Sequence, residues 1–256
     1  MTGSWSLAGK VAVVTGAATG GIGEAYAHAL ADAGAAVVCA DIRAEAAAEV
    51  AASIAGQGGA ASSFAVDITD EAAVAAMVTH AVERHGGVDI LVNNAALMAD
   101  IVRISVMDYD PEMWRRAFEV NLTGQWLCSR AVVPVMRGRG GGRIVNQSSL
   151  GAFPAEGVYG ITKLAVIGLT TSLARELGPS NITVNCIAPG LVHSTAGKLL
   201  GGDGSPFMEL MKQRAALRPF GQPDELCGAL LLLTAPAGDW ITGQVLNIDG
   251  GVILHT

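Results

Sequence analysis

Short β-branched runs recur along the chain at Val11–Thr15, Ala36–Ala40, Ser62–Val66, Ile90–Asn93, Arg143–Asn146, Thr183–Ile187 and Gln244–Ile248. Between them lie alanine-rich stretches that predict helices at Ile22–Ala33, Ala44–Ala55, Glu71–Arg84, Pro111–Met136, Val158–Leu177 and Pro223–Leu233. Strands alternating with helices make βαβ units, hence an α/β fold with a parallel sheet and helices on both faces. No Pro/Ser-rich linker, charge run or internal repeat divides the chain, and Gly138–Gly142 only joins a helix to a strand. A single domain is expected over residues 1–256. Leu191–Arg218 fits neither pattern. It carries Gly197, Gly201, Gly202 and Gly204, then a short apolar helix around Pro206–Met211. Such a segment suits a lid over a substrate, because long irregular loops are uncommon in compact domains unless functional or disordered.

Composition narrows the partners. Of 256 residues 51% are hydrophobic and 15% charged, apolar enough for part of the surface to be buried between subunits. The net charge is −7, and the basic residues cluster only as Arg137, Arg139 and Arg143, so neither nucleic acid nor an anionic membrane is expected. The longest apolar run, Ala229–Ala235, falls far short of a bilayer span, and the N-terminus does not read as a signal peptide. Cys39, Cys128, Cys186 and Cys227 lie far apart and read as buried free thiols of a cytoplasmic protein. No metal-ligand spacing is present among the cysteines or the five histidines.

Two stretches carry chemistry. The first is Thr15-Gly16-Ala17-Ala18-Thr19-Gly20-Gly21-Ile22-Gly23, placed between the first strand and the first helix. Glycines there allow a tight turn and close approach to a pyrophosphate, which the free N–H groups of the helix then bind. Asp41 closes the next strand, where a carboxylate accepts from a ribose 2′-OH and repels a 2′-phosphate. NAD is therefore expected over NADP, with Arg43 the dissenting residue; Asp41 also suits a helix N-cap. Asp67 suits either an adenine contact or a cap, with Asp70 the better cap for the helix at Glu71. The second stretch is Tyr159-Gly160-Ile161-Thr162-Lys163, which sets a phenol and an ammonium on one helix face. An ordinary phenol titrates near ~10, and lowering it by about three units takes roughly 4 kcal/mol. Lys163, with a second positive charge such as an oxidised nicotinamide, is suited to supply this and make Tyr159 a proton-transfer group.

Together with Asn93-Asn94-Ala95, Val120-Asn121-Leu122, Ile144-Val145-Asn146-Gln147-Ser148-Ser149, Pro189-Gly190 and Ile241-Thr242-Gly243-Gln244, these segments resemble the short-chain dehydrogenase/reductase family over almost the whole chain. The resemblance implies a Rossmann-type, doubly wound parallel sheet of about seven strands, and NAD-linked hydride transfer on a secondary alcohol or ketone. It assigns a catalytic tetrad to Asn121, Ser149, Tyr159 and Lys163. It implies cofactor contacts from Gly16, Gly21, Ile22, Gly23, Asp41, Asp67, Ile68, Asn94, Ala95, Tyr159, Lys163, Pro189, Gly190, Val192 and Ser194, and a homotetramer, with the apolar tail Val252–Leu254 packed on a neighbouring subunit. A non-catalytic NAD-binding scaffold is the contrasting reading, and it would not need Ser149, Tyr159 and Lys163.

Four departures from the family pattern bear on geometry. The glycine turn is one residue longer than usual, so Gly21-Ile22-Gly23 rather than Gly20 matches its close. Asn94 is followed by Ala95-Ala96 rather than Ala-Gly. Ser149 precedes Tyr159 by only ten residues, a shorter interval than is common, which leaves Ser148 as an alternative. Ser194, beside Thr195, replaces the expected threonine. Met98, Phe153, Val158, Leu191, Leu199, Phe207 and Met208 are candidates for an apolar pocket, and His193 is read as a loop histidine that might instead reach substrate.

Overall fold

The computed structural model describes residues 5–98, 101–102, 104–195, 206–218 and 220–254, with the backbone alone at 206–208. Seven parallel strands form the sheet: β1 (Val11–Thr15), β2 (Ala36–Asp41), β3 (Ala61–Ala65), β4 (Ile90–Asn93), β5 (Gly142–Gln147), β6 (Ile182–Pro189) and β9 (Val245–Ile248). Their order is β3-β2-β1-β4-β5-β6-β9. The chain moves outward from β1 through β2 to β3, then returns to lay β4 on the other side of β1. That reversal opens a crevice at the carboxyl ends of β1 and β4, where open α/β sheets bind ligands.

The central strands are apolar on both faces because both faces are covered. Val11 to Val14 are all buried in β1. On one face, Val14, Val37 and Val92 pack with Tyr26 and Leu30 of α1 (Ile22–Asp32), Val50 and Ile54 of α2 (Ala44–Gly56) and Leu230 and Leu233 of α8 (Cys227–Thr234). On the other, Val13, Leu91 and Ile144 meet Met77 of α3 (Glu71–His85) and Val132 and Met136 of α5 (Gly124–Gly138). Full burial of each such side chain is worth ~1.5–3 kcal/mol, which fixes the strand ends that carry the site. Asp70 caps α3 as expected, accepting from the Ala72 and Ala73 N–H groups. α6 (Gly157–Leu177), with the turn after it, is long and apolar enough by composition to cross a bilayer. Here it lies along the sheet with Val158, Val166, Thr170, Ala174 and Leu177 buried.

Several expectations need correcting. Pro111–Met136 is helical without a break but irregular: α4 (Pro111–Phe118) passes into a π-helical stretch at Glu119–Thr123, and α5 follows. Extra residues in a turn are costly and concentrate at functional sites, and this stretch holds Asn121. Pro223–Leu226 is a 3₁₀ turn that leads into α8, its start marked by Pro223 in the first turn and by a capping box between Gln222 and Glu225. The lid segment is anchored by strands that its glycines hid. β7 (Leu191–Val192) pairs with β8 (Phe220–Gly221), flanking α7 (Pro206–Arg214). The C-terminal tail also makes contacts within its own chain. Asp249 accepts from the Gly251 and Ile253 N–H groups, and Val252 packs with Leu191, Met211 and Phe220.

Candidate active site

A cleft of about 920 Å³ runs along the carboxyl ends of β1, β2, β4, β5 and β6. Its first wall is the glycine turn. A Cβ on Gly23 would overlap the Gly16 carbonyl and lie 2.6 Å from Asn94 Nδ2, so only glycine lets α1 start this close to β4. Gly20, set aside by the motif match, takes φ +84°. Gly21 has room for a side chain, a Cβ there lying 3.5 Å from the Ala18 carbonyl. The N-terminus of α1 has no side-chain cap, so Gly21, Ile22 and Gly23 offer backbone N–H groups to an anion. Glu24 is a neighbour the sequence did not flag: its carboxylate accepts from Gly20 N at 2.6 Å.

Asp41 ends β2 and lines the cleft, nearly buried. It accepts from Ala18 N (3.1 Å) and Arg43 N (2.9 Å), and Arg43 Nε lies 3.5 Å away. Asp41 thus pins the glycine turn while lining the cleft. Asp67 accepts from the Thr69 hydroxyl and amide and pairs with Arg116 Nη2 at 3.3 Å. Burial pushes its carboxyl up, but the bonds from Thr69 and Arg116 outweigh this and hold it below its usual range. Arg116, from α4, escaped the sequence reading because forty-nine positions separate the pair. Ile68 is buried against Gly124 and floors this end.

A hydrogen-bonded chain crosses from the glycine turn to the proposed catalytic lysine. Asn94 Nδ2 donates to the Thr15 and Gly16 carbonyls (3.0 and 2.9 Å), and its Oδ1 accepts from Gln147 Nε2 (2.8 Å). The Gln147 carbonyl accepts from Lys163 Nζ at 2.9 Å. Ala95 N donates to Thr15 Oγ1 at 3.2 Å. Gln147 is another residue given no role from the sequence, where it is only the neighbour of two serines.

Those serines part company. Ser148 is buried and its hydroxyl donates to the Lys163 carbonyl at 2.7 Å. Ser149 lies at the mouth of β5, accepts from Gly151 N at 3.2 Å, and sits near enough to the Tyr159 phenol to favour its ionised form. Tyr159 and Lys163 share a face of α6, the ammonium 5.6 Å from the ring centroid. Lys163 is 1% exposed, and burial pushes its pKa down to about 8. The expected lowering of Tyr159 is not the state of the free protein. Burial pushes the phenol up to about 12, against the lowering effect of Ser149. Asn121, which the resemblance assigns to the tetrad, is fully buried. It accepts from Leu97 N (2.7 Å) and donates to Leu97 O (2.9 Å) and Thr162 Oγ1 (3.1 Å), bracing the loop after β4 against α6.

At the far wall, Pro189 ends β6, Gly190 packs against Asp249, and Val192 lines the cleft from β7. Ser194 is buried there. Thr195 donates through both N and Oγ1 to the Gly20 carbonyl, at 2.9 and 3.0 Å, joining the lid's first residues to the glycine turn. Met98, Phe153 and Leu191 line the cleft as expected. Val158 is instead core, packed with Ile101 and Ala117. Leu199 and the side chains of Phe207 and Met208 lie outside the described residues. His193 stacks on Phe220 at 4.6 Å and is not a lining residue. Burial pushes Cys39 and Cys128 up to about 12 and Cys186 and Cys227 to about 11, which keeps these thiols protonated.

A family profile described as enoyl-(acyl carrier protein) reductase matches residues 16–253. Human dehydrogenase/reductase SDR family member 4 is 37% identical over 248 residues, 96% of this chain and 88% of that protein. Among solved structures, a 7α-hydroxysteroid dehydrogenase complexed with NADH and 7-oxo glycochenodeoxycholic acid superposes with a TM-score of 0.92 at 36% identity, covering 98% of this chain and 97% of the other. A gluconate 5-dehydrogenase from Burkholderia cenocepacia in complex with NADP and tartrate gives 0.91 at 34% identity, covering 98% of both.

Proposed function

We propose that this chain, which belongs to the short-chain dehydrogenase/reductase family and is an NAD(P)-dependent oxidoreductase, uses NAD to interconvert a secondary alcohol and its ketone. The observation that carries the reading is the meeting of Ser149, Tyr159 and Lys163 on one cleft wall, at the end of β5. When bound, the nicotinamide supplies the hydride acceptor or donor. This chain's residues handle the proton. Ser149 holds the substrate oxygen through its hydroxyl. Tyr159 takes the alcohol proton as a phenolate, or gives it to the ketone oxygen as a phenol. Lys163 favours the phenolate electrostatically and reaches for the nicotinamide ribose. Asn121 keeps α6 and the loop after β4 in register.

The preference for NAD rests on Asp41. A 2′-phosphate placed beside that carboxylate is repelled unless a cation intervenes. Arg43, 58% exposed at its side chain, is the residue that favours the NADP reading. Titration with both nucleotides tests this: equal affinities sink the NAD assignment. Turnover of a panel of cyclic, steroid, terpenoid and sugar alcohols, followed by cofactor absorbance, tests the reaction. We assign the protein to the cytoplasm on its free, buried thiols. A homotetramer is supported by apolar side chains left open on α5 and α6, Trp126 and Leu164, and by Trp240, which is 99% exposed. Light scattering showing a stable monomer at micromolar concentration would refute the assembly.

A further inference from the structure

We infer that the substrate is an apolar alcohol or ketone bearing an anionic group, and that Arg214 of the lid helix receives that anion. The inference rests on the proposed alcohol/ketone chemistry and extends it to the substrate's far end. The charged side chains lining the cleft divide by what they touch. At the adenosine end, Arg43 sits on Asp41 and Arg116 on Asp67. In the middle, Lys163 donates to the Gln147 carbonyl. Arg214 also lines the cleft, yet among the described residues it makes no ion pair or hydrogen bond. It is exposed, so in the free protein its charge is solvated by water.

Its position gives that charge a direction. Leu210 and Arg214 are four apart on α7 and therefore share a face, and both line the cleft. Met211, on the same side of the helix, also lines the cleft and packs with Leu191, Phe220 and Val252, which anchors the helix against the cleft wall. The lid thus shows the cleft an apolar residue and, one turn on, a guanidinium. Leu97, Met98 and Ile253 extend the apolar surface. A substrate with its oxygen at Ser149 and Tyr159 lays an apolar body along these residues and ends at Arg214. A guanidinium suits a carboxylate, sulfate or phosphate ester, through paired N–H donors. In a chain of net charge −7 an anionic substrate needs such a local cation. Glu156, at the N-terminus of α6, is the other charged lining residue with neither an ion pair nor a side-chain hydrogen bond among the described residues. It defines the competing possibility, that Arg214 only latches the lid to Glu156.

The test compares a hydroxysteroid carrying a side-chain carboxylate with its methyl ester, on the NAD-loaded protein. The ligands are titrated by calorimetry and assayed for turnover. Wild type is expected to prefer the carboxylate at least ~10-fold in affinity and kcat/KM, the usual scale of a charge-assisted hydrogen bond. Arg214→Met should erase the preference while leaving the ester's constants within about twofold, since Met keeps the apolar stem. Arg214→Glu should reverse it, and Glu156→Gln should preserve it. Equal affinity for the two ligands in wild type, including no binding of either, overturns the inference. So does an Arg214→Met variant that loses both ligands in parallel with Glu156→Gln, which is the result of a latch. Oxidation of the ester by NAD judges the reaction itself, so a failure there is separate from a failure of the anion contact.

Discussion

Replacing Lys163 by Met keeps the length of the side chain and removes its charge. In the free protein Tyr159 is held near 12 by burial, so at neutral pH it is a phenol and no base. Alcohol oxidation needs the phenolate, and the proposal rests on positive charge to stabilise it. The ammonium lies 5.6 Å from the ring centroid. At an effective dielectric constant of ~20, a unit charge at that distance is worth ~3 kcal/mol, or ~2 pKa units. Burial holds Lys163 itself at about 8, so the cation is largely present at neutrality. The sign follows. Oxidation should rise with pH and level off once Tyr159 is ionised, while ketone reduction should fall above the same pKa. In Lys163→Met both limbs should move up by ~2 units, so that oxidation at pH ~7 drops ~100-fold and recovers as the solution is made alkaline. The assay is kcat against pH in both directions, with near-ultraviolet circular dichroism to confirm the fold. A variant whose limbs stay where wild type has them, with only the NAD KM raised, would refute the electrostatic role and leave Lys163 as a ribose contact.

Tyr159→Phe should bind NAD as wild type does and lose at least ~10²-fold in turnover, the scale of a lost general acid/base; retained activity would reassign the proton. Asp41→Ala should narrow an NAD-over-NADP preference of at least ~10-fold, and it should also raise KM for both cofactors, because the Ala18 N–H loses its acceptor; nucleotide titration reads both effects. Gly23→Ala should lower the melting temperature and abolish NAD binding, because a Cβ there overlaps the Gly16 carbonyl, and overpacking of this kind costs ~1–3 kcal/mol or more; an unchanged melt and affinity would show that the turn can shift at little cost. Val252→Asp should loosen the lid cluster with Leu191, Met211 and Phe220, raising substrate KM while light scattering stays unchanged; a loss of assembly instead would return the tail to the subunit interface.

Periodicity alone determined the alternation of strands and helices, and with it the parallel sheet and the crevice end. Each strand's run of β-branched residues and each helix's apolar face is a local property that any partner surface of the right kind satisfies. The glycine turn, Asp41 and the Tyr159–Lys163 pair were legible for the same reason, because their chemistry depends on spacing within one element or across one turn. Tertiary structure decided what depends on contacts between distant segments. The Asn121 side chain is a brace rather than a solvated group because Leu97 and Thr162 come to it. Ser148 and Ser149 are indistinguishable in sequence, yet the strand's alternation turns one toward the Lys163 carbonyl and the other toward Tyr159. Gln147 and Arg116 join the site only through partners on other strands and helices. The direction of the Tyr159 shift was also tertiary: spacing set a cation beside the phenol, but burial of the phenol is the larger force in the free protein. Of the tail's apolar residues, only the packed chain showed that Val252 meets Leu191, Met211 and Phe220, while Leu254 stays exposed.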